Sequence, residues 1–189
     1  MISPSNQFQH MESTRVFALS LINTALEVTG DVIPQHPSLM ALVADPISKD
    51  VLQIISSTDL PALLQAGLRL FCTMYLILKP HLMSQNELTF TSLFLSILPE
   101  LAPGLQRPSG SVSLKASSSK EIIIEHFSYL WSISPSFFTE LFIDFDCDFE
   151  RSDLASKFVN FLCTLALPES AALTTDNVPP MCLDGIRSF

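Results

Sequence analysis

Apolar residues recur at steps of three and four along most of this chain, in segments that prolines separate. The first segment shows the pattern with Val16, Leu19, Ile22 and Leu26, which share one face of a helix. The 13 prolines fall between such segments, and the 5 glycines are too few for an all-β protein with many tight hairpins. The spacing therefore predicts an all-α fold of about seven or eight helices.

Most of the predicted helices have an apolar face that is wider than a narrow seam, so each needs neighbours on two sides to bury it. A four-helix bundle would use fewer and longer helices. A stack of helical hairpins, as in armadillo or HEAT-like arrays, buries such wide faces. The chain has no exact repeat of about 40 residues, so this prediction rests on the number and spacing of the helices.

The same pattern predicts how the chain is organised. Residues 1–10 are expected to form an N-terminal tail, 11–166 the helical domain, and 167–189 a C-terminal segment that leads into downstream sequence. A stretch rich in Gly, Pro and Ser at 103–119 predicts a flexible loop inside the domain.

Two helix starts are predicted from capping signals. Asp45 is expected to cap a helix that has Pro46 at its first position, where the missing N–H of proline costs nothing. Ser118 and Glu121 have the spacing of a capping box, in which each side chain binds an otherwise free backbone N–H.

Charge and apolar content exclude several classes of function. The chain has 10 Lys plus Arg against 19 Asp plus Glu, a net charge of −9, which argues against nucleic acid or anionic lipid as the main partner. Its uncharged apolar runs are about half of the roughly 20 residues that a membrane span needs, so no span is predicted. The four cysteines form no C-x-x-C pair, which disfavours a zinc site and indicates a reducing compartment such as the cytosol.

The most polar part of the sequence is an acidic turn at 144–153, between two apolar helical patterns. Calcium binding is the first interpretation, because the carboxylates alternate as in an EF-hand loop that starts at Asp144. Such a loop needs Gly at its sixth position and Glu at its twelfth, where this chain has Phe149 and Ala155. The calcium interpretation therefore fails. The carboxylates of the turn are Asp144, Asp146, Asp148, Glu150 and Asp153.

Two other interpretations of the acidic turn remain open. Its Asp-x-Asp resembles the first motif of the haloacid-dehalogenase phosphatases, but that motif follows a parallel strand and this one is flanked by helical patterns. Alternatively the turn is structural, since short acidic side chains accept backbone N–H bonds at the N-terminus of the next helix. The residues alone favour the structural role, with a polar hinge or a contact for a basic partner segment as its extension.

Other candidate residues have mainly structural interpretations. The four histidines lie far apart and none is recognisably paired with a nucleophile, so no catalytic site is predicted. Asn23, within the first apolar helix, is expected to be a core or groove amide bonded to a neighbouring helix, with a grip on a partner's backbone as the alternative. Five phenylalanines around the acidic turn are expected in the core, although joint exposure would mark an interface. They are Phe137, Phe138, Phe142, Phe145 and Phe149.

Residues 144–148 resemble the HUS box, Asn-Tyr-Asp-Cys-Asp, of the large Golgi Arf guanine-nucleotide exchange factors of the Gea and Golgi brefeldin-A-resistance-factor type. Asp replaces Asn and Phe replaces Tyr in this chain. Further landmarks follow in the order of that family over about residues 11–186, among them SLINTALEVTGD, HPSLMALVADPI, LPALLQAGLRL and TTDNVPPMCLDGI. The five residues that take the places of the box are Asp144, Phe145, Asp146, Cys147 and Asp148.

The resemblance implies an armadillo-like regulatory region upstream of the catalytic exchange domain, without catalytic residues, metal or cofactor of its own. It implies the upstream dimerisation domain and the exchange domain of a parent protein as partners, with Arf or Rab GTPases as further candidates. Cytoplasmic localisation, peripheral on Golgi membranes, is expected, and both ends are expected to be cuts through a longer protein or gene model. The alternatives are a free-standing helical-repeat adaptor and an Asp-x-Asp metal-dependent phosphatase.

Overall fold

The computed structural model describes residues 2, 10–98, 115–167 and 174–189. Within those ranges the regular structure is helical and includes no strand, which confirms the all-α prediction of packed helical hairpins. The predicted tail at 1–10 and loop at 103–119 lie mostly outside the described residues. The nine α-helices of the described ranges are α1 (Glu12–Thr29), α2 (Pro37–Leu42), α3 (Ser48–Ser57), α4 (Pro61–Leu78), α5 (Met83–Ile97), α6 (Ser117–Ile133), α7 (Phe137–Leu141), α8 (Leu154–Ala166) and α9 (Val178–Ser188).

The chain divides into two units, Met1–Thr89 and Phe90–Phe189, and the division falls within α5. In the first unit α4 is the central helix: it buries ten of its residues and packs against both α1 and α3. Gly67 allows α3 to approach closely, because a Cβ atom there would lie 2.8 Å from Cγ2 of Ile55. The turn between α3 and α4 is short, so the two helices form a hairpin.

Among the described residues, one segment, Pro61–His81, is long and apolar enough to cross a membrane by length and composition alone. Gln65 and Arg69 interrupt its apolar run in the sequence, and both are exposed. Of its most apolar window, 61% is buried inside the fold. A largely buried helix of this kind is what the core of a helical protein requires.

The start predicted at Asp45 is wrong. The chain runs from α2 into α3 through a π-helical turn, Val43–Ile47, that contains Pro46. A proline in an ordinary α-helix clashes with the preceding turn and loses a hydrogen bond, whereas a widened turn relieves the clash. The hydroxyl of Ser48 donates to the carbonyl of Val43 at 2.6 Å across this turn.

An aromatic cluster forms the core of the second unit, around Phe158 of α8. The centroid of its ring lies 5.0 to 6.3 Å from those of seven other aromatic rings, a range in which tilted and edge-to-face pairs are favourable. Four helices of this unit therefore share one aromatic core. The seven rings belong to Phe90 and Phe94 of α5, Phe127 and Trp131 of α6, Phe137 and Phe138 of α7, and Phe161 of α8.

The last described helix, α9, packs on both α8 and α6. The capping box predicted at Ser118 is wrong, because α6 begins at Ser117 and no side chain caps it. Glu121 instead accepts a hydrogen bond of 2.6 Å from the amide of Asn177, in the turn before α9. This bond is the main cause of a lowered pKa for the carboxyl group of Glu121.

Candidate functional site

The acidic turn connects α7 to α8. Its first residues belong to a π-helical turn, Phe142–Asp146, that continues α7 without a break. Such turns are rare and occur frequently at functional sites. A non-helical stretch then leads to α8, which begins at Leu154.

Asp146 holds the turn onto the N-terminus of α8. Its Oδ1 accepts a hydrogen bond from the backbone N–H of Ala155 at 2.7 Å, and its Oδ2 accepts one from the N–H of Ser156 at 3.0 Å. The hydroxyl of Ser156 also donates to Oδ2, at 2.7 Å. A carboxylate in this position satisfies two free N–H groups and faces the positive end of the helix dipole.

Asp153 occupies the N-cap position of α8, yet its side chain makes no capping hydrogen bond. The cap comes from Asp146, which precedes the helix by eight residues. The structural interpretation of the acidic residues therefore describes the geometry of Asp146, through a contact that no local sequence pattern encodes.

Phe145 and Arg151 anchor the turn from the other side. Phe145 is completely buried, and the guanidinium carbon of Arg151 lies 5.8 Å from the centroid of its ring, within the range of a cation–π contact. The Nε of Arg151 lies 3.2 Å from Oδ2 of Asp148. Because Phe145 is fully buried, a ring without the phenolic hydroxyl of the family's Tyr suits this position.

Two of the remaining residues of the box, Cys147 and Asp148, are exposed. Asp148 is exposed, and its Oδ1 accepts the N–H of Glu150 at 3.0 Å, which closes a tight turn. The N–H of Cys147 donates to the carbonyl of Phe142 at 3.1 Å, while its thiol is free and exposed. Asp144 is partly exposed.

Five phenylalanines were expected to pack in the core around the turn. The prediction is confirmed for three of them, which are buried, and is wrong for Phe142 and Phe149, which are exposed. Sequence reasoning also missed Ser156 as a partner of the box, since one exposed serine in a first helical turn carries no special signal. The three buried rings are Phe137, Phe138 and Phe145.

The geometry of the turn does not match the Asp-x-Asp phosphatase alternative. In the described part of the chain, no three His, Cys, Asp or Glu side chains are grouped so that they could hold a metal ion. The Asp-x-Asp motif lies at the end of a helix and not after a parallel strand, contrary to what the phosphatase alternative requires. Both carboxylate oxygens of Asp146 are already used by donors of α8.

Asn23 lies in the first unit, whereas the acidic turn lies in the second. It is buried, and its Nδ2 donates to Oε1 of Glu27 within α1 at 2.7 Å. The same oxygen of Glu27 lies 3.4 Å from Nη2 of Arg69 on α4. Among the described residues the amide group of Asn23 donates within α1 and its Oδ1 is buried without a hydrogen-bond partner, so the expected bond to a neighbouring helix is not made. Its grip on a partner stays a prediction.

A family model described as Mon2/Sec7/BIG1-like, HUS domain, matches residues 2–154. The chain is 47% identical to "ARF guanine-nucleotide exchange factor 2" and 42% identical to "ARF guanine-nucleotide exchange factor 1", both of Saccharomyces cerevisiae, over 100% of its own length. It is 28% identical over 98% of its length to "ARF guanine-nucleotide exchange factor GNOM" of Arabidopsis thaliana. It spans only 13% of each yeast relative and 12% of the plant one.

Proposed function

The chain belongs to the Mon2/Sec7/BIG1-like HUS domain family, and we propose that it is a non-catalytic regulatory module of a large Arf guanine-nucleotide exchange factor. Identity over the whole chain to two proteins of that name, each far longer than the matched part, supports this role. No observation favours a free-standing adaptor or a phosphatase. We further propose that the parent protein acts in the cytoplasm, peripherally on Golgi membranes, in vesicle trafficking.

The observation that carries the proposal is the way the box is used. Phe145 is buried in the second unit, and Asp146 is bound by three donors of α8. These two residues therefore stabilise the fold of the turn, which is the role expected in an interaction module and not in a reaction centre. Proposed partners are the upstream dimerisation domain and the downstream exchange domain of the parent, with Arf or Rab GTPases as further candidates.

The absence of catalysis is tested with the isolated chain, after circular dichroism has shown that it is helical. Purified Arf loaded with a fluorescent guanine nucleotide should release it no faster when the chain is added. The full-length parent should accelerate the release and serves as the positive control. Acceleration by the isolated chain would contradict the non-catalytic role.

The regulatory role is tested in the full-length parent with Asp146→Ala. We expect lower thermal stability of the parent. We also expect weaker association between this region and the upstream dimerisation domain, measured by co-precipitation after the two parts are expressed as separate chains. Asp45→Ala, an exposed carboxylate of the first unit, is the matched control. If Asp146→Ala changes neither quantity, the box has no part in intramolecular contacts.

A further inference from the structure

A groove of about 250 Å³ lies in the first unit, between α5 and the stretch that runs from the π-helical turn into α3. Asp45, Lys49 and Leu52 line one side of it, and Gln85 and Leu88 line the other. Pockets that enclose a whole small molecule usually measure about 300 to 1,000 Å³. The groove therefore has room for one side chain and not for a ligand the size of a cofactor.

The π-helical turn Val43–Ile47 shapes one end of the groove. There the N–H of Ser48 donates to the carbonyl of Val43, as in a π-helix, instead of that of Ala44, its partner in an ordinary α-helix. The carbonyl of Ala44 accepts a hydrogen bond of 2.9 Å from Nε2 of Gln85 on α5. This bond joins the two sides of the groove, so a ligand meets walls that are already held together.

Most of the short polar groups that line the groove offer hydrogen-bond acceptors to a ligand. The hydroxyl of Ser48 donates to the carbonyl of Val43 at 2.6 Å, and that of Thr89 donates to the carbonyl of Gln85 at 2.7 Å. A hydroxyl has a single hydrogen, so these two can only accept from a ligand. The carboxylate of Asp45, which is exposed, and Oε1 of Gln85 are acceptors as well.

A ligand that matches these groups carries several N–H donors and a positive charge on an apolar stem. A guanidinium group has five N–H donors and no acceptor, and it binds a carboxylate through two parallel hydrogen bonds. The stem of an arginine side chain can pack on Leu52 and on Leu88, which is 58% exposed. The net charge of −9 also favours a cationic partner.

Lys49 is the lining group that opposes a cationic ligand. It lies about one helical turn after Asp45, and its side chain is exposed. An ammonium group on a flexible four-carbon stem can turn into solvent, whereas the carboxylate and the hydroxyls are on short side chains. Lys49 therefore weakens the binding of a cation without preventing it, and its removal tests the charge of the ligand.

We propose that this groove binds an arginine side chain of a separate protein, with Asp45 and Gln85 holding the guanidinium group and Leu52 and Leu88 holding its stem. The site goes beyond the proposed function, because it lies in the first unit and the box lies in the second. Only the choice of a separate protein rests on the proposed function, which assigns contacts within the parent to the acidic turn.

The ligand class is tested by heteronuclear NMR on this 189-residue chain, after circular dichroism has shown that it is helical. The probe is N-acetyl-arginine N-methylamide, and the controls are the citrulline and glutamate derivatives of the same form. Citrulline has the shape of arginine but a neutral head group. We expect saturable shifts at the side-chain amide of Gln85 and the N–H of Ser48, with a Kd of about 1 mM or below for the arginine derivative. The two controls should bind at least about tenfold more weakly.

Two variants with opposite expected effects test the role of charge. Asp45→Asn should weaken binding of the arginine derivative about threefold or more, because the amide keeps the shape of the side chain and loses its charge. Lys49→Ala should strengthen binding about twofold, because a like charge is removed. Asp31→Asn changes an exposed carboxylate of the first unit outside the groove, so it controls for net charge and should have little effect.

Several results would overturn the inference. They are the lack of a saturable shift, equal binding of the citrulline derivative, tighter binding of the glutamate derivative or of free arginine, weaker binding after Lys49→Ala, and an equal effect of Asp31→Asn and Asp45→Asn. In the full-length parent, Asp45→Ala should leave domain association unchanged, and weaker association would place the arginine within the parent. Failure of the groove leaves the test with Asp146→Ala untouched, so the two proposals stand or fall separately.

Discussion

Replacing Asp146 with Ala removes the three hydrogen bonds that its side chain accepts from the start of α8. Loss of an N-cap costs about 1 kcal/mol, and up to about 2 kcal/mol in proteins. Ala155 is buried, so its N–H would lose its acceptor where water replaces it poorly, which adds about 1 kcal/mol or more. We therefore expect the free energy of unfolding to fall by about 2 to 3 kcal/mol.

The matched control is Asp153→Ala. Asp153 lies at the N-cap position of the same helix but makes no capping hydrogen bond, so only its interaction with the helix dipole is lost. That interaction contributes about 0.3 to 1 kcal/mol at an exposed site. The comparison isolates the hydrogen bonds of Asp146 from the general benefit of a negative charge near α8.

Urea denaturation followed by circular dichroism measures both variants, and hydrogen exchange reports the N–H groups of Ala155 and Ser156 directly. In Asp146→Ala these two N–H groups should exchange faster than in the wild type, and in Asp153→Ala they should not. The thermal midpoint should fall by about 4 to 12 °C for Asp146→Ala in a chain of this length. A loss below about 0.5 kcal/mol for Asp146→Ala, or an equal or larger loss for Asp153→Ala, would refute the assignment of the cap.

Three further predictions concern packing and ionisation. Gly67→Ala should lower stability by about 1 to 3 kcal/mol in urea denaturation, despite better helix propensity, because the new Cβ would lie 2.8 Å from Ile55; a stabilised variant would contradict this close approach. Because the hydrogen bond from Asn177 lowers the pKa of Glu121 in the folded state, its contribution to stability is present above the unfolded-state pKa and is lost as pH falls through the folded one. Glu121→Gln should therefore reduce the fall in thermal midpoint between about pH 5 and about pH 3, and an unchanged pH profile would count against it. Finally, burial raises the pKa of the two buried thiols to about 12, so maleimide should label only the two exposed cysteines of the native protein, and fast labelling of all four would show that those thiols are accessible.

Much of the fold was predictable because helical periodicity is local. The stripe through Leu19 and Leu26 lies on the buried face of α1, and the apolar run that ends at Leu78 is the central helix of its unit. The two predictions from short capping signals failed for different reasons. Glu121 binds Asn177 instead of the start of its own helix, and the chain around Pro46 stays helical by widening one turn.

At the acidic turn the sequence shows the residue types but not the different structural role of each residue. The family resemblance singled out five consecutive residues, and the structure gives them different roles. Phe145 is buried, Asp146 caps α8, and Cys147 and Asp148 are exposed. Phe149, which lies just outside the five, is exposed as well. Alternation of acidic and aromatic residues looks the same in sequence whichever of them face inward.

The sequence by itself determined the helices, the composition of the core and the family, because each depends on residue identity and on spacing within a few turns. Only the tertiary structure decided which carboxylate caps α8 and which phenylalanines meet solvent. Asp146 reaches N–H groups nine and ten residues further along the chain, across an irregular turn. Such a contact depends on where folding places the two segments, so no pattern within either segment specifies it.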